Sequence, residues 1–355
     1  MLYRPPIIEN LRAEIRGETL RPAKRNKSTQ PDPELARHLF TVYSCKRWME
    51  LGKREAPAKM LFGEFWYQHE ICFLFANTNS GKSVLAVQIG NAIARGSKAG
   101  PFPCQTQPAK VLYADFELSN LQFHHRYNHN GKDHQFHENF LRAQFNPGAE
   151  NPDPENIDNF QSDEYLLAAL EYRIQHLKAT VLIIDNISCL GGGTGNAEGA
   201  LRIMNRLNSL RKQYKLSILV LAHTPKRRNP AMSLSSSDLL GSKLLINFAD
   251  SAFTIGISHT DNSLRYLKQI KQRNSEQVYG QDNVCLCRIQ KLRSFLKFNF
   301  EGHSAERPHL PGNTNAHNVQ LTAQIKQLAA EGLTQREIGK RLGISLGLVN
   351  KLGRK

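Results

Sequence analysis

No stretch of this 355-residue chain is apolar for long enough to cross a bilayer. The first residues, Met1-Leu2-Tyr3-Arg4-Pro5-Pro6, lack the apolar core of a secretion signal. The six cysteines form no CxxC pair. Cys285-x-Cys287 puts two thiols on one face of a strand, which suits neither zinc nor a disulfide. Acidic residues are in deficit, 31 against 47 Lys and Arg, giving a formal charge of +16 and a pI near 9.7. These absences exclude a membrane-spanning protein and a disulfide scaffold. They predict a reduced, cytoplasmic protein with a polyanionic partner and no membrane. What remains is ordinary globular composition, 40% hydrophobic and 22% charged, in a chain long enough for one large domain and one small one.

The most informative stretch is Ile71-Cys72-Phe73-Leu74-Phe75, an apolar run that breaks into Ala76-Asn77-Thr78-Asn79-Ser80-Gly81-Lys82-Ser83. A helical pattern follows at once through Val84, Leu85, Val87, Ile89 and Ile93. Strand, turn and helix with Gly-Lys-Ser at the hinge make a phosphate-binding P-loop, here with Ala76 in place of the usual first glycine. Backbone N–H groups of Ala76–Ser83 are then aimed at the phosphates of ATP. Lys82 reaches the β/γ oxygens, and the Ser83 hydroxyl serves Mg²⁺.

From Phe62 onward, short apolar runs alternate with helical stretches, as in an α/β sheet. Strands are expected at 111–117, 181–185 and 216–223, and helices around 83–96, 163–177 and 197–214. Later strands near 251–257, 264–270, 284–290 and 296–300 lie too close together for intervening helices, so the sheet ends in antiparallel hairpins. The run Val181-Leu182-Ile183-Ile184 ends in Asp185, an acid placed to hold Mg²⁺ at a strand's C-terminal end. The next residue is Asn186, so no carboxylate stands beside Asp185 to activate water. Glu117, at the C-terminal end of the second strand, is the candidate base, with a helix-capping acid as its competing role.

This layout resembles the RecA-fold ATPases, in which the catalytic glutamate follows the second strand. Within them it is most similar, over roughly 56–300, to the hexameric replicative helicases, especially RepA-like plasmid helicases and their relatives on bacterial mobile elements. Leu221-Ala222-His223-Thr224-Pro225-Lys226 matches that family's polar sensor, which places His223 in that role. Gln269-Ile270-Lys271-Gln272-Arg273-Asn274 is similar to the Lys-x-Arg pair that reaches the neighbouring subunit's γ-phosphate. Strand alternation puts Lys271 and Arg273 on one face, and cations so placed can neutralise a transferred phosphoryl group. The resemblance implies a homo-oligomeric ring, a hexamer, whose pore loops track single-stranded DNA in a bacterial cytoplasm. Two loops fit that role: the glycine run 191–196, and the segment from Lys226-Arg227-Arg228 through Ser242-Lys243. The second contains no aromatic for base stacking, and a plain solvent loop is its competing reading.

Residues 1–55 read as a basic arm with a helix over 33–51, 56–302 as the ATPase domain, and 303–318 as a polar linker. The five histidines between 124 and 137 follow no metal-ligand spacing and read as a polar helix-and-loop insertion. Over 319–355, a stripe at Leu321, Ile325 and Leu328, a capping box at Thr334 and Glu337, a stop at Gly343 and a third helix after Ser345 look like a helix-turn-helix module. Its last helix offers Asn350, Lys351 and Arg354 to bases and phosphates of duplex DNA.

The fold class expected is therefore α/β. A RecA-like P-loop core has a mostly parallel sheet ending in antiparallel hairpins, followed by a small all-α module. Two functions compete. One is an oligomeric DNA-dependent ATPase or helicase. The other is an ATP-switched regulator tethered to DNA that does not unwind it. A kinase using the same loop is disfavoured by the charge and the terminal module.

Overall fold

A computed structural model describes residues 40–146, 163–190, 197–225, 229, 231–239, 243–311 and 314–353. Contacts divide the chain into 1–57 and 58–355. In the first unit the described residues carry α1 (Cys45–Gly52). The helix expected over 33–51 is thus non-helical at 40–44. Ser44 has extended backbone and caps α1, its Oγ accepting from the Arg47 N–H at 3.2 Å. The arm over 1–31 lies outside the described residues.

The second unit opens with a short hairpin, β1 (Met60–Phe62) and β2 (Trp66–Tyr67). Then come β3 (Ile71–Ala76), α2 (Lys82–Arg95), β4 (Val111–Asp115), α3 (Asn120–Tyr127), the hairpin of β5 (Asn128–His129) and β6 (Lys132–Asp133), and β7 (Phe140–Gln144). Next are α4 (Asp163–Leu177), β8 (Val181–Asp185), α5 (Ala197–Tyr214), β9 (Ser217–His223) and α6 (Lys243–Phe248). The sheet is completed by β10 (Ser251–Ile257), β11 (Leu264–Lys271), β12 (Val284–Leu292) and β13 (Phe295–Ser304). Among the described residues these form one nine-stranded sheet in the order β13-β12-β11-β10-β3-β9-β8-β4-β7. It is parallel from β10 to β7 and antiparallel from β10 to β13, the mixed sheet expected from the sequence.

The central strands carry apolar residues on both faces because both faces are covered. In β3, Cys72, Leu74 and Ala76 pack with α2, while Ile71, Phe73 and Phe75 pack with α4 and α5. β4 and β8 alternate in the same way, so each helix layer buries every second residue of each strand. β12 and β13 extend the α2 side: Gln88 on α2 donates to the Phe298 carbonyl at 3.1 Å and accepts its N–H at 2.8 Å.

Two segments depart from the expected layout. β7 and the histidine-rich stretch form a packed unit, in which His134 stacks on Phe295 at 4.2 Å and Tyr127 and Phe136 fill the space behind. Among the described residues, no group of three or more His, Cys, Asp or Glu is placed to hold a metal ion. The linker expected at 303–318 is also shorter. β13 runs to Ser304, Glu306 and His309 are buried, and the next helix starts at Thr314. The buried side chains interspersed among those polar residues are why the chain stays in the fold.

Three helices close the chain: α7 (Thr314–Ala330), α8 (Gln335–Leu342) and α9 (Leu346–Gly353). Leu321, Ile325, Leu328, Ile338, Val349 and Leu352 form their core. Glu337 accepts from the Thr334 N–H at 2.8 Å, and Gly343 ends α8 with φ +66°. A Cβ on Gly339 would lie 3.0 Å from the Ile344 carbonyl, so the turn is drawn tight against α8. Leu346, Gly347 and Lys351 are exposed and Asn350 is half-buried. Among the described residues no helix is long and apolar enough to cross a membrane.

Candidate active site

Register sets the site. Ala76 pairs with His223, and Asp115 with Asp185, so the C-terminal ends of β3, β9, β8 and β4 lie at one edge of the sheet. Loops leaving that edge carry the candidate residues.

Ala76–Ser83 turns from β3 into α2 through Asn79 (φ +61°) and Gly81 (φ +101°). Ser80 Oγ donates to the Asn77 carbonyl at 2.7 Å, and Arg265 Nε, from β11, donates to the Ser80 carbonyl at 3.0 Å. Gly81 is doubly required. Its φ is left-handed, and a Cβ there would lie 2.4 Å from Ile289 Cδ1. Lys82 folds back over the turn, donating to the carbonyls of Ala76 (3.0 Å) and Asn77 (3.2 Å) and to His223 Nδ1 (3.3 Å). Burial pulls its ammonium below the ordinary lysine range, opposed by Asp185 and Glu117.

Asp185 is buried, and Tyr113 donates to its Oδ2 at 2.6 Å. Its Oδ1 is buried with no hydrogen-bond partner among the described residues. Burial pushes the carboxyl up to about 6, against hydrogen bonds from Ser83 and Tyr113 that favour its ionised form. A buried carboxylate with an open acceptor oxygen, in contact with the Ser83 hydroxyl, is a donor set that suits Mg²⁺, a hard cation that prefers oxygen. Ser83 and Asp185 are the residues that would hold it. Replacing Asp185 by Asn is expected to preserve or raise the melting temperature of the nucleotide-free protein, because a neutral amide avoids ionisation that burial opposes. The same change should remove the Mg²⁺ dependence of ATP binding, which titration calorimetry with and without the cation would detect.

Glu117 follows β4. The competing role as a helix-capping acid is taken by other residues: Ser119 caps α3 by accepting from the Gln122 N–H at 3.2 Å. Asp115 accepts the N–H groups of Glu117 and Leu118 at 3.0 and 2.9 Å and is itself held by Arg142 Nε at 2.8 Å. Arg142 also donates to the Leu118 carbonyl. This clamp shapes the turn and leaves the Glu117 carboxylate turned toward β9. There the Asn186 amide donates to its Oε1, and His223 Nε2 lies 3.5 Å away. Asn186 also stands 3.0 Å from His223 Nε2, and its Oδ1 accepts the Ser188 N–H at 2.8 Å. The peptide bond joining it to Asp185 is cis. Lys82, His223, Asn186 and Glu117 therefore form one continuous polar chain, with Asp185 alongside.

A family model described as AAA domain matches residues 45–229, more than half of the chain. The chain belongs to the AAA domain family. Its members are P-loop ATPases of the kind found in RecA-like and helicase-like proteins, so this AAA domain binds and hydrolyses nucleotide. The match ends before β10, leaving β10–β13 and the three terminal helices outside it. No curated protein matches the sequence.

Lys271 and Arg273, beyond the matched residues, lie apart from that edge. Lys271 ends β11 opposite Ala252, which pairs with Phe73 near the start of β3, at the sheet edge away from the P-loop. Lys271 Nζ donates to the Ile246 and Asn247 carbonyls at 2.7 and 3.1 Å. Arg273, just past the strand, donates to the Asn247 carbonyl at 3.1 Å and pairs with Asp250 at 3.3 Å. Lys271 from the end of β11 and Arg273 from the turn beyond it both cap the C-terminal end of α6. Neither lies at the P-loop of this chain. Lys226, Arg227, Arg228, Arg354 and the 191–196 loop lie outside the described residues. Tyr113, Arg142 and the bridging role of Asn186 were not legible in the sequence. A strand tyrosine or an edge-strand arginine carries no motif, and only the strand register brings them to Asp185 and Asp115.

Proposed function

We propose that the chain is an oligomeric DNA-dependent ATPase, a replicative helicase or translocase of a plasmid or mobile element that hydrolyses ATP at subunit interfaces. The observation that carries this is the convergence of Lys82, Asp185, Asn186, Glu117 and His223 at one strand edge, four loops meeting on a single phosphate-binding turn. In this reading Glu117 takes the proton of the attacking water, and Asn186 and His223 hold that carboxylate in place. Lys82 leaves the Ala76 and Asn77 carbonyls to meet phosphate oxygens. Ser83 and Asp185 would hold Mg²⁺, which when bound would supply positive charge against the phosphates. The distance of Lys271 and Arg273 from their own P-loop favours service to a neighbour's nucleotide, the other half of the site in a ring. His223 would report nucleotide state to the segment beginning at Lys226. The +16 charge favours DNA, with Lys226, Arg227 and Arg228 on single strands and Asn350, Lys351 and Arg354 on a duplex.

The second reading, an ATP-switched DNA-tethered regulator, is favoured by the compact α7–α9 unit, since a pure translocase has little use for a sequence reader. ATPase rates with single-stranded and duplex DNA, together with a strand-displacement assay, separate the two. Stimulation by single strands with displacement supports the helicase. Tight binding to one duplex sequence without displacement overturns it in favour of the regulator. Specific ATPase activity should also fall on dilution below the assembly concentration. Full activity from a monomer would refute catalysis at interfaces.

A further inference from the structure

The sheet edge opposite the P-loop carries a different chemistry. Four strands that are neighbours in the sheet, β4, β8, β9 and β3, begin there. Val111 pairs with Val181, Val181 with Ser217, and Ile218 with Ile71, so the four entries of the chain into the sheet lie side by side. Lys110 precedes β4, Lys178 precedes β8, Lys215 precedes β9 and His69 precedes β3, and all four are exposed. Backbone bonds fix the row. The Lys110 carbonyl accepts the Thr180 N–H at 3.1 Å, the Thr180 carbonyl accepts the Ser217 N–H at 3.0 Å, and the His69 N–H donates to Ser217 Oγ at 2.9 Å. Neighbouring strands are about 4.8 Å apart, so the row spans about 14 Å.

None of the three lysines pairs with a carboxylate among the described residues. Of the acids that enter the same edge, Glu70 is buried and Asp250 is paired with Arg211 and Arg273, while Glu138 stands exposed beyond Lys110, before β7. Lys178, Lys215 and His69 also have left-handed backbone, with φ of +53°, +51° and +61°. Lys178 and Lys215 follow the ends of α4 and α5, where glycine adopts that conformation without strain, yet a long cationic side chain stands at each. An aromatic surface adjoins them. Tyr172, 62% exposed, stacks on His176 in the last turns of α4, with centroids 6.0 Å and planes 7° apart. Arg173 lies over the same tyrosine ring at 5.7 Å. Gln175 donates to the Tyr214 hydroxyl at 2.5 Å, which holds this turn against the end of α5, just before Lys215.

We propose that this edge is a second binding surface for single-stranded DNA, with phosphates on Lys110, Lys178 and Lys215 and a base on the Tyr172 ring. The inference rests on the DNA reading above but uses none of the residues named there. Unpaired cations in a row hold phosphates whatever the sequence. An exposed ring accepts any base, because every base has a π-face, and the bases of a duplex are already stacked on one another, so the ring selects single strands. Strands of five to seven residues, roughly 17–23 Å at 3.3 Å per residue, separate this edge from the P-loop, so a strand bound here leaves the nucleotide site open.

The test titrates a fluorescent oligo(dT) with the full-length protein and two variants between about 50 and 200 mM salt, each variant being checked by thermal melting. In the first, Lys110→Gln is combined with Lys178→Gly and Lys215→Gly, and the glycines remove charge while relieving the left-handed backbone, so the fold is kept. The second is Tyr172→Ala, at an exposed helix position. The lysine variant is expected to flatten the slope of log K against log salt by about 2, at about 0.7 for each of three phosphates, and to bind roughly tenfold more weakly. Tyr172→Ala should also bind roughly tenfold more weakly, with the slope unchanged. If the lysine variant keeps the wild-type slope, the row makes no phosphate contact and the inference is overturned. A lower melting temperature with that unchanged slope would assign the charges to the helix ends of α4 and α5 instead. If Tyr172→Ala binds as the wild type does, the single-strand assignment is overturned. If the wild-type protein does not bind oligo(dT) at all, the DNA reading itself fails, and this inference falls with it.

Discussion

Glu117→Gln is expected to bind ATP with unchanged affinity and to lose hydrolysis by about 10²–10⁴-fold, the usual worth of a positioned general base. The substitution is nearly isosteric. The Asn186 amide, which donates to the carboxylate, can still donate to the amide oxygen of glutamine, so the polar chain to His223 persists. The turn itself rests on Asp115 and Arg142 rather than on Glu117, so the fold should be undisturbed. What is lost is the ability to accept a proton. Single-turnover hydrolysis alongside equilibrium binding separates the two effects. A variant that turns over at the wild-type rate would remove Glu117 from the chemistry and leave no carboxylate beside Asp185 to replace it, since Asn186 occupies that place.

Glu306→Ala is expected to destabilise the fold by about 3–5 kcal/mol, because it strands a buried ammonium. Lys268 and Glu306 form an ion pair at 2.5 Å with side chains only 7% and 2% exposed. Glu306 also accepts the Leu234 N–H at 2.9 Å and the Tyr266 hydroxyl at 3.2 Å, while Lys268 donates to the Leu234 carbonyl at 2.7 Å. Ser233 bonds both members of the pair. This network ties the segment after the basic stretch 226–228 to β11 and to the turn that ends at His309. The melting temperature should fall by on the order of 10 °C. The double change Lys268→Met with Glu306→Leu should cost much less, since it removes both charges instead of exposing one to an apolar surrounding. Equal losses in the single and double variants would show that packing, rather than an unpaired charge, sets the penalty.

The two predictions draw on features of different legibility. Glu117 could be proposed from the chain alone because an apolar run, Val111–Ala114, leads up to it and the site after Asp185 lacks an acid. Glu306 could not. It sits in a polar, proline-containing stretch that reads as a linker, and its partner is a lysine within a strand pattern. The same limit applies to β7, whose Phe140-Leu141-Arg142-Ala143 run is broken by a charge that makes sense only once Asp115 lies on the neighbouring strand, two residues beyond the Tyr113 that pairs with Arg142. Lys110, Lys178 and Lys215 were invisible as a row for the same reason: they are far apart in the chain and only strand pairing aligns them.

By itself the sequence determined the central parallel strands, the phosphate-binding turn between β3 and α2, and the acid that ends β8. Each of these is local: an apolar run, a Gly-Lys-Ser hinge, a helical period. It also determined the Thr334–Glu337 cap and the apolar stripes of the terminal helices, since those signals act within a few residues. Only the tertiary structure decided which side chains meet. Strand order places β9 between β3 and β8, and that adjacency brings His223 between Lys82 and Glu117. Register puts Lys271 at the edge remote from its own P-loop. The β11–β13 hairpins close over α2, a packing that no stretch of sequence announces. Local patterns are written in neighbouring residues, whereas hydrogen bonds between loops depend on which strands pair and where each one ends.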